Sequence, residues 1–245
     1  MDTNAQITKK VRLSIIIPIY NEEELLPEVL IQIRSLPWEN KELILVNDCS
    51  TDRTEEILEP EKTKANTIVI KHHENKGKGA AIRSGLLHFT GDIVIIQDAD
   101  MEYCPDEILD VALPIALGET KVCFGSRFMG TIKDMRYANR VGNVILAHLV
   151  SLMYGQRITD EATAYKAFHR SVIEKIALDC QGFEFCPEIT SKVLKMGYPV
   201  KEVPVTFVAR SFAEGKKIGW RDFIVAVWTM LKIRLFWKPE YYYKK

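Results

Sequence analysis

The sequence predicts an α/β fold in which a mostly parallel sheet is flanked by helices. Short apolar runs rich in β-branched residues alternate along the chain with segments of helical periodicity, and these runs are apolar throughout. Strands of that kind are buried on both faces, as in parallel sheets covered by helices. The 245 residues, 47% of them hydrophobic, contain no repeat or long linker, so we expect one domain, 1–245.

The first half of the chain contains five predicted strands, at 13–19, 42–46, 67–71, 92–97 and 121–125. Helices are predicted between them, because acidic residues, a Ser-Thr-Asp cap or a proline mark common helix starts. These helices are one that begins at 21–24, one capped at 50–52 that ends near 58, one at 78–89 and one at 105–117.

The alternation of strand and helix changes after residue 126. The second half is predicted as a loop at 127–138, a helix at 139–153, a strand at 162–168, a helix at 187–196, an extended segment at 200–207 and a helix at 220–236. We expect this half to complete the sheet and to cover it.

Charge and cysteine usage argue against several classes of protein. Basic and acidic residues number 33 each, so the net charge is zero, and we expect no nucleic-acid partner because such binding needs a positive excess. The five cysteines form no Cys-x-x-Cys pair, which favours reduced thiols. The first dozen residues lack the apolar stretch of a signal peptide, and the run 223–231 is too short for a membrane span. We therefore expect a cytoplasmic protein.

Three carboxylates follow the fourth predicted strand, where ligands bind in open α/β sheets. Asp98, Asp100 and Glu102 are spaced by two residues, so in an extended chain their side chains point to the same face. Carboxylates are hard oxygen ligands suited to Mg²⁺ or Mn²⁺. The sequence therefore predicts a metal site here, with helix capping as the alternative role.

A second candidate site is the glycine- and lysine-rich stretch 75–85, which enters a predicted helix. Backbone N–H groups at a helix start, together with Lys78, favour a bound phosphate. The stretch differs from a dinucleotide-binding fingerprint, because it follows the third strand and has Ile82 in place of the last glycine. A glycine turn without a ligand is the alternative.

Seven segments occur in the order found in inverting glycosyltransferases of family two, and the chain resembles that family over residues 12–236. The segments are IIIPIYNEEELL, VNDCSTDRT, NKGKGAAIRSG, GDIVIIQDADMEY, GSRF, TDEATAYKAF and ARSFAEGKK. Within the family, the chain is most similar to polyprenyl- and dolichyl-phosphate sugar synthases. The resemblance implies a doubly wound GT-A fold and inverting transfer of a hexose, mannose or glucose, from a GDP- or UDP-sugar to a polyprenyl phosphate.

The resemblance also implies roles for individual residues. The base and ribose would contact Pro18, Tyr20, Glu22, Val46 and Asp48; the nucleotide Asp98 and Ala99; the metal Asp98, Asp100 and Glu102; and the donor and acceptor phosphates Arg127, Arg210 and Lys216. The domain would then divide into a nucleotide-sugar half (12–126), an acceptor half (127–217) and a membrane-proximal helix with its tail (218–245).

Several positions depart from the family pattern. Asn47 and Cys49 stand where relatives often carry Asp and Gly, and Ala162 stands where close relatives often place an acidic residue. The acceptor decides which groups catalysis needs. A lipid phosphate is already anionic and needs little help from a base, whereas a soluble or cell-envelope hydroxyl acceptor needs one, for which Asp160 is the candidate.

The final predicted helix suggests where the protein acts. Segment 220–238 places Trp and Phe beside Arg and Lys, as at a membrane interface, although a core-packing helix with a basic rim is the alternative. We expect peripheral binding at the cytoplasmic face of a membrane, with a membrane-protein partner as a further option. The rival function is a non-catalytic relative that binds nucleotide or membrane.

Overall fold

The structure, a computed structural model, describes residues 3–210 and 219–239, and within these it describes the side chains from residue 6 onward. The helices and strands in these ranges are α1 Thr3–Lys10, β1 Leu13–Ile19, α2 Leu26–Ser35, β2 Lys41–Asn47, α3 Thr54–Leu58, β3 Thr67–Lys71, α4 Lys78–Leu86, β4 Ile93–Ile96, α5 Ile108–Ala116, β5 Val122–Lys133, α6 Tyr137–Tyr154, β6 Lys166–His169, α7 Arg170–Ile173, α8 Phe185–Lys195, β7 Lys201–Val208 and α9 Trp220–Phe236.

The strands form one seven-stranded sheet in the order β3-β2-β1-β4-β6-β5-β7. β6 runs antiparallel to both of its neighbours, and every other pairing is parallel. At the centre, Ile16 of β1 lies between Ile44 of β2 and Ile96 of β4. The predicted mostly parallel α/β sheet is therefore confirmed.

Apolar side chains on both faces of the sheet bury it between two layers of helices. On one face, Ile15 and Ile17 of β1 pack in a core with residues of α2 and α5. On the other face, Ile16 packs in a core with residues of α4, α6, α8 and α9. Alternate residues of one strand thus enter opposite cores, which explains why the strands are apolar throughout.

The acidic segment 21–24 forms a loop instead of the predicted start of a helix. The backbone N–H groups of Glu22 and Glu23 donate to the side chains of Thr54 and Asp52, at 3.0 and 3.1 Å. These bonds hold the segment against the start of α3, and α2 begins only at Leu26. The acidic side chains are thereby placed at the carboxyl end of β1.

The predicted loop at 127–138 is wrong over its first part, because β5 continues to Lys133. After an irregularity in the register, Thr131–Lys133 pair with β7. Gly130 allows the strands to approach there, since a Cβ atom at this position would lie 2.2 Å from the Val205 carbonyl oxygen.

The predicted strand at 162–168 begins only at Lys166, and α1 was not predicted. In the part of the chain described, every helix is too short or too polar to cross a membrane.

Candidate active site

The carboxyl ends of β1, β2 and β4 meet at one edge of the sheet, where the predicted site residues gather. Pro18 and Val46 are register partners on β1 and β2. Val46 is fully buried, whereas the ring of Tyr20 is 46% exposed just beyond the end of β1. Ala99 is buried in the turn that follows β4. Tyr20 is therefore the member of this group with the most surface free to contact a ligand.

Asp98 lies next to Lys78, the first residue of α4. The Lys78 ammonium is 2.6 Å from one Asp98 carboxylate oxygen and 2.8 Å from the other. Burial is the largest single influence on the pKa of Lys78 and acts to lower it, but the combined attraction of neighbouring acidic groups, Asp98 foremost, and the hydrogen bond to Asp98 raise this pKa above its ordinary value. The structure thus brings together one residue from the predicted metal site and one from the predicted phosphate site.

Arg210 connects three acidic side chains across the site. Its guanidinium donates to both carboxylate oxygens of Glu22, at 3.0 and 3.1 Å, and to Asp100 at 3.2 Å. Its backbone N–H donates to Glu102 at 3.0 Å. Arg210 follows β7 and Glu22 follows β1, so this contact joins the second half of the chain to the first.

We call the six side chains Glu22, Lys78, Asp98, Asp100, Glu102 and Arg210 the carboxylate centre. It contains four carboxylates and two cations, which leaves a surplus of two negative charges when all four carboxylates are ionised. Burial, followed by the charges of Asp98 and Glu102, raises the pKa of Asp100 to about 7. Burial also raises the pKa of Glu22, against the opposing attraction of Arg210.

The carboxylate centre has the chemistry of a divalent-cation site. Its oxygen ligands are hard, and a divalent cation would balance its surplus charge. Among the residues described, however, no group of three His, Cys, Asp or Glu side chains converges as a metal cluster. In the structure Asp98 and Asp100 are instead paired with Lys78 and Arg210. The predicted trio of ligands is therefore adjacent but not gathered around one point.

Asp48 faces a turn of the protein's own backbone. Its carboxylate accepts hydrogen bonds from the N–H groups of Lys76 and Gly77 at 2.9 and 2.7 Å, and it lies 2.6 Å from Nδ1 of His72. His72 in turn contacts the Ser84 hydroxyl on α4 at 2.8 Å. These contacts hold the turn before α4, from which Lys78 reaches Asp98. His72 was not singled out from the sequence, although it follows β3 just as Asp48 follows β2.

Arg127 and Asp160 form a buried ion pair near the carboxylate centre. The guanidinium donates to both oxygens of Asp160, at 2.6 and 2.7 Å, and the Arg127 backbone N–H adds a third bond of 2.9 Å. The guanidinium also lies 5.1 Å above the ring of Phe207. Asp160 is fully buried and Arg127 is 6% exposed. In this arrangement each charge is directed at the other.

We expect replacement of Asp160 by alanine to destabilise the fold by about 3–5 kcal/mol, because it leaves the Arg127 charge buried without its partner. Urea unfolding of the variant measures this loss. The double variant Asp160→Leu/Arg127→Met removes both charges and should recover most of the stability. A loss below about 1 kcal/mol in the single variant would show that the pair contributes little, as exposed pairs do.

Glu161 was not identified as a site residue from the sequence. It is fully buried, and neither of its carboxylate oxygens has a hydrogen-bond partner in the part of the chain described. Burial raises its pKa to about 7, against the attraction of Lys166.

The predicted phosphate ligand Lys216 lies outside the residues that the structure describes.

Helices α6 and α9 pack together and expose a broad apolar area, which we call the α6–α9 surface. Its exposed residues are Tyr137, Val141, Val144, Ile145 and Leu152 of α6 and Trp220, Ile224, Val225, Trp228, Leu231, Leu235 and Phe236 of α9. The two helices also carry four basic residues and one acidic residue, on a chain with no net charge. The predicted membrane helix α9 forms over the expected residues, and α6 was not predicted to join it.

The chain is similar in sequence to two lipid-phosphate sugar transferases. The chain is 30% identical to the UDP-N-acetylglucosamine–dolichyl-phosphate N-acetylglucosaminyltransferase of Methanococcus voltae, over 85% of this chain and 92% of that protein. It is 29% identical to the dolichol-phosphate mannosyltransferase of Pyrococcus furiosus, over 85% of this chain and 60% of that longer protein.

A solved structure has the same fold. Glucosyl-3-phosphoglycerate synthase of Mycobacterium tuberculosis, in complex with Mn²⁺, uridine diphosphate and phosphoglyceric acid, superposes with a TM-score of 0.68 and 17% identity. The match covers 94% of this chain and 81% of the synthase chain. Residues 14–177 match the family described as glycosyl transferase family 2, which is most of the chain. The protein belongs to glycosyl transferase family 2 and has its GT-A fold.

Proposed function

We propose that this glycosyltransferase moves a sugar from a nucleotide-diphosphate sugar to a polyprenyl phosphate, and that it depends on a divalent metal. The observation that supports the proposal most is the surplus negative charge of the carboxylate centre, at the sheet edge where α/β folds bind ligands. A metal cation and an anionic diphosphate together would satisfy both its carboxylates and its cations. The similarly folded synthase was solved with a metal and a nucleotide of this class.

The proposed donor site extends from the exposed ring of Tyr20 to the carboxylate centre. Pro18, Val46 and Asp48 would line or support the nucleotide pocket, and Ala99 would lie beneath the nucleotide. Asp98, Asp100 and Glu102 would hold Mg²⁺ or Mn²⁺. When bound, such a cation supplies positive charge to the diphosphate oxygens as the leaving group departs.

Arg210 and Lys78 would act on the charge that develops as the glycosidic bond breaks. Both already contact carboxylates that a metal would occupy, so each becomes available to a phosphate when its carboxylate partner binds the metal. A guanidinium can hold two phosphate oxygens at once, which favours Arg210 for the reacting diphosphate. Oriented cations of this kind stabilise a departing anion most where water is excluded.

A phosphate acceptor fits the structure better than a hydroxyl acceptor. The candidate base Asp160 has both oxygens engaged by Arg127 and is fully buried. A hydroxyl acceptor requires a free base, whereas a phosphate oxygen is already anionic at neutral pH. Both named relatives carry dolichyl or dolichol phosphate in their names. The Arg127–Asp160 pair would then have a structural role beside Phe207.

A matched pair of acceptors tests this proposal. Purified protein is incubated with a nucleotide sugar and Mn²⁺, together with either a polyprenyl phosphate or the polyprenol of the same chain length. We expect sugar transfer to the phosphate and little transfer to the alcohol. Transfer to the alcohol at a comparable rate would contradict the phosphate-acceptor proposal, and Asp160 would then become the base to examine.

A lipid acceptor requires the site to approach a membrane, and the α6–α9 surface has the composition of an interfacial surface. Exposed Trp and Phe side chains suit the headgroup layer, and basic residues are attracted to anionic lipid. Trp220, Trp228 and Phe236 are each more than 60% exposed. We therefore propose that the protein binds peripherally to a membrane through this surface.

We expect binding to phosphatidylserine-containing vesicles to weaken as salt is added, because salt screens the attraction. Lys232→Gln should weaken vesicle binding by roughly fivefold, since one basic residue near an anionic surface contributes about 1 kcal/mol. Trp228→Ser should weaken binding to both anionic and neutral vesicles. Cosedimentation measures all three effects.

The matched control is Ile31→Ser, which replaces an equally exposed apolar residue on α2, away from this surface. It should bind vesicles as the unmodified protein does. If Ile31→Ser and Trp228→Ser lose the same amount of binding, or if the protein ignores anionic vesicles at low salt, the α6–α9 surface is not the membrane contact.

A further inference from the structure

Glu161 is an exception among the buried carboxylates of the protein. The described residues include six of them, Glu42, Asp48, Glu61, Asp160, Glu161 and Glu188. Five accept hydrogen bonds from side chains or backbone. Neither oxygen of Glu161 has such a partner within the described chain. Burying a carboxylate in this way is costly, so a native structure that keeps it calls for a functional explanation.

The nearest cation does not satisfy Glu161. The Lys166 ammonium donates at 2.7 Å to the backbone carbonyl of Glu161, and it lies 3.8 Å from the centre of the Phe124 ring. Lys166 itself is fully buried, so it is held in these contacts. The Glu161 carboxylate therefore keeps its full capacity to accept hydrogen bonds.

The topology places Glu161 beside the carboxylate centre. β6 runs antiparallel to β4, with Ala167 opposite Ile95, so residues just before β6 lie beside the turn that follows β4. The Tyr165 hydroxyl confirms this proximity, because it donates to the side chain of Gln97. Glu161 thus belongs to the segment that borders the turn of Asp98.

Cys186 of α8 contacts the segment that carries Glu161. Its thiol is 3.5 Å from the carbonyl oxygen of Thr163. Burial is the main reason that the pKa of this thiol is raised to about 11, and the charges of both Glu161 and Asp98 contribute to the increase. Through this contact with Thr163, α8 borders the segment that carries Glu161.

A nucleotide sugar presents suitable partners for such a carboxylate. When its diphosphate binds at Asp98 and Asp100, the sugar must extend beyond the diphosphate, and its hydroxyl groups are neutral hydrogen-bond donors. We propose that Glu161 accepts a hydrogen bond from a hydroxyl of the transferred sugar and so contributes to the choice of donor sugar. This inference rests on the proposed nucleotide-sugar function. It assigns Glu161 to sugar recognition, separate from the groups that hold the nucleotide and the metal.

The test compares affinity for a nucleotide sugar with affinity for the nucleotide alone. Calorimetry with Mn²⁺ would use UDP against UDP-glucose and GDP against GDP-mannose. In Glu161→Gln and Glu161→Met we expect the nucleotide sugar to lose about tenfold or more in affinity, the range for a hydrogen bond to a charged group. Affinity for the bare nucleotide should stay within about twofold, since no hydrogen bond to it is lost.

Thermal unfolding adds a readout that separates recognition from a structural role. Because Glu161 is buried without a partner, Glu161→Met should raise the melting temperature. The matched control Glu42→Gln changes a buried carboxylate near the start of β2, at the end of the strand away from the carboxylate centre. This carboxylate accepts hydrogen bonds from the hydroxyls of Ser14 and Thr90. The control should lower the melting temperature and leave the affinity ratio unchanged.

Three outcomes are distinguishable. A fall in nucleotide-sugar affinity with unchanged nucleotide affinity, in the Gln and Met variants alone, supports the proposal. An unchanged affinity ratio in both variants overturns the role of Glu161 and leaves the proposed function in place. Failure of the unmodified protein to bind any of the four nucleotides overturns the proposed function, and the role of Glu161 with it.

Discussion

Replacing Asp100 with alanine is expected to lower sugar transfer by about 10²–10³-fold, the loss typical when a group that stabilises transition-state charge is removed. Burial and two neighbouring carboxylates raise the pKa of Asp100 to about 7. Its ionised form is therefore disfavoured in this environment and costs free energy. A bound metal cation would offset that cost, and alanine would remove the carboxylate proposed to hold it. The fold should survive, because Asp100 lies in a turn after β4 and contributes little to either core.

Three measurements examine this prediction together. Far-UV circular dichroism should be unchanged, Mn²⁺ affinity should fall, and turnover should be lost. Asp110→Ala on α5 provides the control, since it removes an exposed carboxylate away from the carboxylate centre. Turnover in Asp100→Ala equal to that of the control would show that Asp100 does not hold the metal.

Replacing Arg210 with alanine is expected to lower turnover by about 10²-fold and to leave nucleotide affinity nearly unchanged, because its proposed role is to stabilise the departing diphosphate. Arg210→Lys should also be impaired. The guanidinium now spans both oxygens of Glu22 and reaches Asp100, and the single ammonium of lysine does not reproduce that fork.

Metal binding separates the Arg210 variant from the Asp100 variant. Arg210 would compete with a bound cation for Asp100, so its removal should leave Mn²⁺ affinity in the absence of nucleotide equal to or tighter than before. Electron paramagnetic resonance of free Mn²⁺ measures this affinity. Weaker Mn²⁺ binding in Arg210→Ala, or normal turnover in both variants, would contradict the proposed role.

Local sequence patterns were sufficient to predict the sheet and to place the candidate site residues at the carboxyl ends of its strands. The apolar runs that became β1 and β3 were predicted at their observed bounds, and α9 likewise. Asp98 and Asp100 could be placed at the sheet edge because a parallel strand ends immediately before them. These features depend on residues near one another in the chain, where hydrophobic periodicity and turn residues are informative.

The contacts that depend on distant segments could not be predicted. Arg210 meets Glu22 across 188 residues, and nothing near either residue indicates the pairing. The extension of β5 depends on its register with β7, for which Gly130 was the one local signal. Cys49 illustrates an intermediate case: its φ of 63° is the left-handed conformation that glycine adopts readily. The glycine that relatives often carry at this position suits the same left-handed backbone conformation.

Burial was the other property missing from the sequence. Arg127 and Asp160 were both predicted as site residues, and each separately suits its assigned role. The structure instead directs them at one another inside the protein. Neither carboxylate oxygen of Glu161, which is adjacent to Asp160, has a hydrogen-bond partner among the residues described, and only the folded arrangement distinguishes Glu161 from its neighbour.

The most direct test of the account is detection of the glycosylated lipid. Purified protein is incubated with a polyprenyl phosphate and each of several UDP- and GDP-sugars, with Mn²⁺ or with EDTA, and the extracted lipid is analysed by mass spectrometry. We predict a polyprenyl-phosphate sugar from one nucleotide class, formed with Mn²⁺ and not with EDTA. Equal product formation in EDTA would contradict the metal role of the carboxylate centre, and absence of glycosylated lipid with every donor would contradict the proposed reaction.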